Sequence, residues 1–291
     1  MTRSKLKPVS APEAGQAYAV YWSIYTDLKG RTQFRDLYWD RLKDLIGRPA
    51  KLVGIEREDL WPSGRPSPEL RCHVWTFIRA ASSEEAISET VRAAMRVAPG
   101  WRILTVRPED DDETFEMVWD RPRDGAPSEL PLPRLTSILA SVHHDTGFRI
   151  YPGGRSAGSL QRSSRTIVPN QGRGTFAATW DFEVQASTKR ELMEAHWPIL
   201  SRRFGDDGVE LIDLQKRGGD VGPFRFKLRH VVKEVAQSEA MLMVLHQSEG
   251  MVLSVEDRGS SVVLLGRRDV PDRTKAHWLK SFEVCWQAEN T

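Results

Sequence analysis

Between Tyr18 and Trp119 the apolar residues change period four times, and this alternation constrains the fold more than any other feature of the chain. Tyr18 to Tyr25 is a β-branched and aromatic run of period two. Phe34, Leu37, Tyr38, Leu42, Leu45 and Ile46 then recur at the spacing of one helix face and stop at Gly47, a residue suited to a helix C-cap. After Pro49 a second strand is expected from Ala50 to Ile55, a Pro/Gly/Ser-rich loop from Trp61 to Pro68, and a third strand from Arg71 to Ile78. Ser82 and Glu85 have the spacing of a capping box, and they open a helix with Ile87, Val91, Ala94 and Met95 on one face. Pro99-Gly100 ends that helix, and Trp101 to Val106 and Phe115 to Trp119 read as strands. The order β-α-β-β-α-β is that of a ferredoxin-like unit, in which two helices cover one face of an antiparallel sheet.

The second half begins after an acidic run, Glu109 to Glu113, and a stretch from Arg121 to Pro133 that holds four prolines. Such a composition does not pack a core. The expected organisation is therefore a tail over 1–16, a ferredoxin-like domain over 17–122, a Pro-rich linker over 123–133 and a second α+β domain over 134–291 with an Arg/Gly/Ser-rich loop at 149–175. Leu132, Leu135, Ile138, Leu139 and Val142 suggest a helix that ends near Gly147. Phe176 to Val184 reads as a strand, and Thr188 to Phe204 as a helix that Pro198 kinks or splits. Val209 to Leu214 and Phe224 to Val232 read as strands, with Met241–Leu245, Met251–Val255 and Val262–Leu265 as short apolar runs between turns. Pro271 opens a last helix with Trp278, Phe282, Cys285 and Trp286 on one side. Two architectures fit: a second ferredoxin-like unit with residues 235–246 helical, or a curved antiparallel meander closed by the C-terminal helix. The sequence itself shows no internal repeat.

Composition narrows the function classes. The 42 Lys and Arg nearly balance the 40 Asp and Glu, leaving a net charge of +2, which argues against a protein that coats polyanions over its whole surface. A chain with 40% hydrophobic and 28% charged residues folds. No stretch approaches the roughly 18 uncharged apolar residues of a membrane span. Cys72 and Cys285 cannot build a disulfide framework, and the first sixteen residues lack the apolar stretch of a signal peptide, so a cytoplasmic setting is expected. HExxH, paired CxxC, DxDxDG, GxGxxG and GKS/GKT motifs are all missing, so no metal and no cofactor is implied.

The most distinctive local feature is charge asymmetry. From Gly147 to Trp180 the chain carries Arg149, Arg155, Arg162, Arg165 and Arg173 and no Asp, Glu or Lys. Guanidinium groups spaced by Gly, Ser, Thr and Gln are suited to bidentate phosphate contact, so these five residues are the expected nucleic-acid-binding set, for RNA or single-stranded DNA. Alternation also places Tyr21 and Tyr25 on one face of the first sheet, with His73, Trp75 and Phe77 beside them. Tyr21, Tyr25, Trp75 and Phe77 are the candidate stacking residues, although the alternative is burial against another surface. Gly154 to Gly158 matches GxSxG as a string but lacks the strand–turn–helix context of a nucleophile elbow. His144-Asp145-Thr146 and His246-Gln247-Ser248 resemble the short HxT/HxS pair of two-histidine phosphodiesterases, which implies general acid–base work on facing strands. The expectation is nucleic-acid binding without chemistry. The alternatives are an assembly role, with a protein partner or a second copy covering the aromatic surfaces, and a small-molecule binder or enzyme with a cavity around Trp278, Phe282 and Trp286.

Overall fold

The changes of period become strands and helices in the order they predict, and the helices gather on one side of a single sheet. The computed structural model describes residues 16–57, 69–107, 115–122, 130–132, 134–144, 165–166, 172–204, 209–216, 223–257, 261–268 and 277–288. The first half runs β1 (Gln16–Thr26), α1 (Arg31–Phe34), a π-helical turn (Arg35–Trp39), α2 (Asp40–Ile46), β2 (Ala50–Arg57) and β3 (Leu70–Ala80). It continues with α3 (Ser83–Val97), β4 (Trp101–Val106), β5 (Phe115–Asp120) and β6 (Leu135–His144). The short β7 (Arg165–Thr166) pairs in parallel with β3 at Ile78 and Arg79. The second half runs β8 (Arg173–Val184), α4 (Lys189–Glu191), a second π-helical turn (Leu192–His196), α5 (Trp197–Arg203), β9 (Val209–Lys216) and β10 (Phe224–Ala236). It closes with α6 (Gln237–Gln247), β11 (Val252–Asp257), β12 (Ser261–Arg267) and β13 (His277–Ala288).

The strand order is β2-β3-β1-β6-β5-β4-β11-β12-β13-β8-β10-β9, antiparallel throughout apart from β7. Each half therefore has the same plan. The first strand lies between the third and the sixth, the second forms the outer edge, and the fourth to sixth make a meander. The halves meet through the equivalent strands β4 and β11, with Trp101 opposite Leu253 and Arg102 opposite Val252. On the helix side α3 packs against α6, and one apolar core runs through both halves. The fold is thus mixed α+β with an antiparallel sheet, and a duplication invisible in the sequence is plain in the topology. Val235 to His246 proves largely helical, as the duplicated alternative required. The order β-α-β-β-α-β is present in the first half, but the expected ferredoxin-like pairing is not formed: the strand beside β1 is β6 rather than β4, which lies at the far end of the meander. No helix among the described residues is long and apolar enough to cross a membrane.

Two expected helices are strands, for a common reason. Residues 135–144 and 277–288 were expected to be helical from apolar residues three and four apart, yet they form β6 and β13. In β6 the register slips at Thr136, so buried Leu135 and Ile138 stand three apart on one face, after which Ala140 and Val142 alternate. In β13 it slips at Lys280, placing buried Leu279 and Phe282 three apart before Val284 and Trp286. A β-bulge inserts one residue and shifts the phase of alternation, which imitates helical spacing over a short window. Even the bulges correspond: the Arg121 N–H donates to the Thr136 carbonyl at 2.9 Å, and the Arg268 N–H to the Lys280 carbonyl at 2.9 Å.

Helix entries are fixed locally. The Glu85 carboxylate accepts from the Ala81 N–H at 2.9 Å and Glu191 from the Ser187 N–H at 2.8 Å, while Ser82 and Thr188 accept from the N–H groups of Glu85 and Glu191. The Ser82 and Thr188 contacts satisfy first-turn donors, as the capping-box spacing predicts, and the two glutamates tie down the residue before each N-cap. Pro198 sits in the first turn of α5, where its missing N–H is tolerated, and the π-helical turn before it separates the two helical pieces.

Candidate ligand cavity

Alternation in β8 and β10 sends Phe176, Trp180, Phe182, Phe226 and Leu228 toward the helices, and His230 occupies the next inward position. His230 is 2% exposed, with its ring edge-on to Phe176 at 5.6 Å and to Phe204 at 6.0 Å. Phe204 follows the last residue of α5, and its ring lies 5.0 Å from that of the fully buried Trp180. Between these rings and α6 lies a cavity of about 540 Å³, lined by Trp180, Arg203, Phe204, His230, Met243, His246 and Gln247.

Comparison of the halves shows why the space is there. In the first, α2 packs along α3; in the second, α5 makes no comparable contact with α6, and the cavity occupies the gap. The polar groups behave differently as well. Trp22 on β1 lies opposite Val74, and Thr76 is two residues further along β3; the Trp22 indole N–H donates to Thr76 Oγ1 at 3.0 Å. Trp180 on β8 lies opposite Leu228, and His230 is two residues further along β10, the same diagonal relation. Here the pair does not close on itself. Trp180 Nε1, His230 Nδ1 and Gln247 Oε1 are buried without a hydrogen-bond partner among the described residues, and all three residues line the cavity. A buried polar atom left unpaired costs about 1–3 kcal/mol, and here three of them stand beside one cavity.

Electrostatics divide the cavity into floor and mouth. Burial lowers the pKa of His230, so the imidazole is neutral at neutral pH and presents one donor and one acceptor nitrogen. Arg203, at the end of α5, and His246, in the last turn of α6, are exposed at the mouth. No Asp or Glu is among the described lining residues.

Sequence reasoning reached this site from the wrong side. Phe282 and Trp286, expected under a terminal helix, are core residues of β13, 4% and 1% exposed, and the Trp286 indole donates to the Val235 carbonyl at 3.0 Å. Trp278 lies in the same strand, in which the described apolar side chains fill the core rather than line a cavity. His144 lies on β6 and His246 on α6, so the facing-strand arrangement of a two-histidine phosphodiesterase is not formed. The one legible signal for the cavity was His230, a polar residue at the inward phase of Phe224, Phe226 and Leu228.

The aromatic residues of the first half do share a face. The Tyr21 hydroxyl bonds His73 Nδ1, the Tyr21 and Trp75 rings are 5.0 Å apart, and the Trp75 and Phe77 rings stack at 6.4 Å. Trp75 and Phe77 are only 3% and 2% exposed and form a small second core with Ala19, which leaves little ring surface for a base. Tyr25 lies under the Arg71 guanidinium at 5.3 Å. Of the arginines, Arg149, Arg155 and Arg162 lie outside the described residues, as does the GxSxG string. Arg165 is on β7, and Arg173 donates to the Glu234 carbonyl at 2.6 Å. Nucleic-acid contact by this segment rests on sequence alone. Groups of three or more residues able to hold a metal ion are not found among the described residues. No family model matches the chain, and no curated protein or solved structure matches it.

Proposed function

We propose that the protein binds a small organic molecule in the cavity between β8, β10, α5 and α6, as a binding protein rather than an enzyme. The observation that carries this reading is the set of three buried polar atoms, on Trp180, His230 and Gln247, that have no partner among the described residues and stand around one cavity. The first half pairs its corresponding tryptophan internally and packs its helices together. Pockets of a few hundred Å³ with apolar walls and a few convergent polar groups are the usual form of small-molecule sites.

The test is native mass spectrometry of the gently purified protein, followed by a thermal-shift screen of small organic compounds. The expected result is a bound small molecule or a family of stabilising hits, with the response lost in a Met243→Trp variant that fills the space. A ligand at a hundred times its dissociation constant adds about 2.7 kcal/mol to stability, which a thermal shift resolves. A protein that carries no adduct and gains no stability from any compound holds only water there, and the reading fails.

A further inference from the structure

We infer that the ligand of this cavity is a hydroxylated apolar carboxylate, with its acid group at the mouth on Arg203 and its hydroxyl at the floor between Trp180 and His230. This rests on the cavity being a ligand site. The mouth sets the charge. Among the described residues no hydrogen bond or ion pair holds Arg203, and its pKa is lowered by desolvation and then by the nearby Arg268, so its positive charge meets no described carboxylate. Arg268 is already occupied, donating from Nε to the Leu279 carbonyl at 3.3 Å and from Nη2 to the Glu249 carbonyl at 2.9 Å. His246, the other group at the mouth, is within electrostatic reach of Glu84 on α3. One guanidinium with no carboxylate among the described lining residues suits one negative charge, and a carboxylate matches its two-pronged geometry.

The walls and floor set the rest. Trp180, Phe204 and Met243 offer ring faces and an adaptable thioether, which suits a flat apolar body. At the floor the Trp180 indole can only donate, the Gln247 oxygen can only accept, and neutral His230 can do either. A hydroxyl both donates and accepts, so it answers these groups together, whereas a second charge at this buried end would find no described ion to pair it.

The experiment uses the full chain and three rigid probes: 6-hydroxy-2-naphthoate, its methyl ester, and 2-naphthoate. Affinity is read by calorimetry and contact with the floor by the Trp180 indole resonance in ¹H–¹⁵N spectra. The expected order is 6-hydroxy-2-naphthoate tightest, with the ester about tenfold weaker, as loss of roughly 1.4 kcal/mol implies. Arg203→Gln should reduce the acid-to-ester ratio to near one, and Arg203→Lys should restore part of it. 2-Naphthoate should bind more weakly than its hydroxy analogue and leave the indole resonance less shifted. If acid and ester bind alike, or the ratio survives Arg203→Gln, the acid assignment is wrong while a shifted indole keeps the cavity reading. If the hydroxyl makes no difference, the floor assignment is wrong. If no probe moves the indole resonance at millimolar concentration, the ligand class and the cavity reading fall together.

Discussion

Two tryptophans in matching strand positions show how much one neighbour decides. Trp22 finds Thr76 and becomes an inert part of the core, while Trp180 and His230 stand side by side on the wall of a cavity with Nε1 and Nδ1 unpartnered among the described residues. The buried histidine carries a measurable consequence. Its folded-state pKa lies below that of the unfolded chain, so under mildly acidic conditions the unfolded state binds a proton that the folded state refuses. Stability should therefore be unaffected by this group above its unfolded pKa of about 6.5 and fall as the pH drops from there toward the folded value. Urea denaturation from pH 7.5 to 5 should show His230→Gln with a flatter pH dependence than the wild type. Parallel slopes would mean that His230 takes up its proton in the folded state. This residue also marks the limit of what sequence shows. A histidine in phase with Phe224, Phe226 and Leu228 is visible as an anomaly, but whether a hydroxyl, a water or a cavity meets it depends on α5, which ends at Arg203, and on α6 beyond it.

The strands show a similar exchange of volume between the halves. Two residues past the bulge in β6, Ile138 lies opposite Trp119; two residues past the bulge in β13, Phe282 lies opposite Gly266. The large group has moved from the fifth strand of one half to the sixth of the other. A Cβ on Gly266 would sit 2.0 Å from Phe282 Cε1, and the Phe282 ring in turn lies 5.2 Å from that of Trp180. Gly266→Ala must push Phe282 toward the cavity wall, and overpacking of this kind costs about 1–3 kcal/mol. The expected outcome is a lower denaturation midpoint with an unchanged m-value, together with an altered Trp180 indole resonance. An unchanged midpoint would show that the ring can turn aside freely. The same bulges explain why β6 and β13 were illegible as strands, since a local rule of period cannot represent a residue inserted by pairing with a distant strand.

At the scale of the whole molecule, two half-sheets share an edge. β4 and β11 occupy equivalent places in their halves and meet antiparallel, and α3 and α6 cover the junction. Removing one half therefore leaves an unpaired strand and an exposed apolar helix flank on the other. Residues 16–144 expressed alone should self-associate, pairing β4 with β4 of a second copy, and light scattering should report a dimer or larger species. A folded monomer would show that the junction adds little to either half.

The mixed α+β class, the antiparallel sheet, most strand positions in the first half and the helix entries were legible in the residues alone, because period and capping are local properties of a few neighbours. Sequence also placed Tyr21, Tyr25, Trp75 and Phe77 on one face, since alternation alone does that. That the two halves repeat one plan, that β6 and β13 are strands, and that Trp75 and Phe77 are buried while Tyr21 and Tyr25 stay partly exposed follow from tertiary contacts. The tertiary structure alone brought Trp180, Arg203, His230 and Gln247 together around an unfilled space. Those outcomes depend on strand pairing and helix spacing between residues far apart in the chain, where volume and hydrogen-bond partners are settled by whatever else arrives.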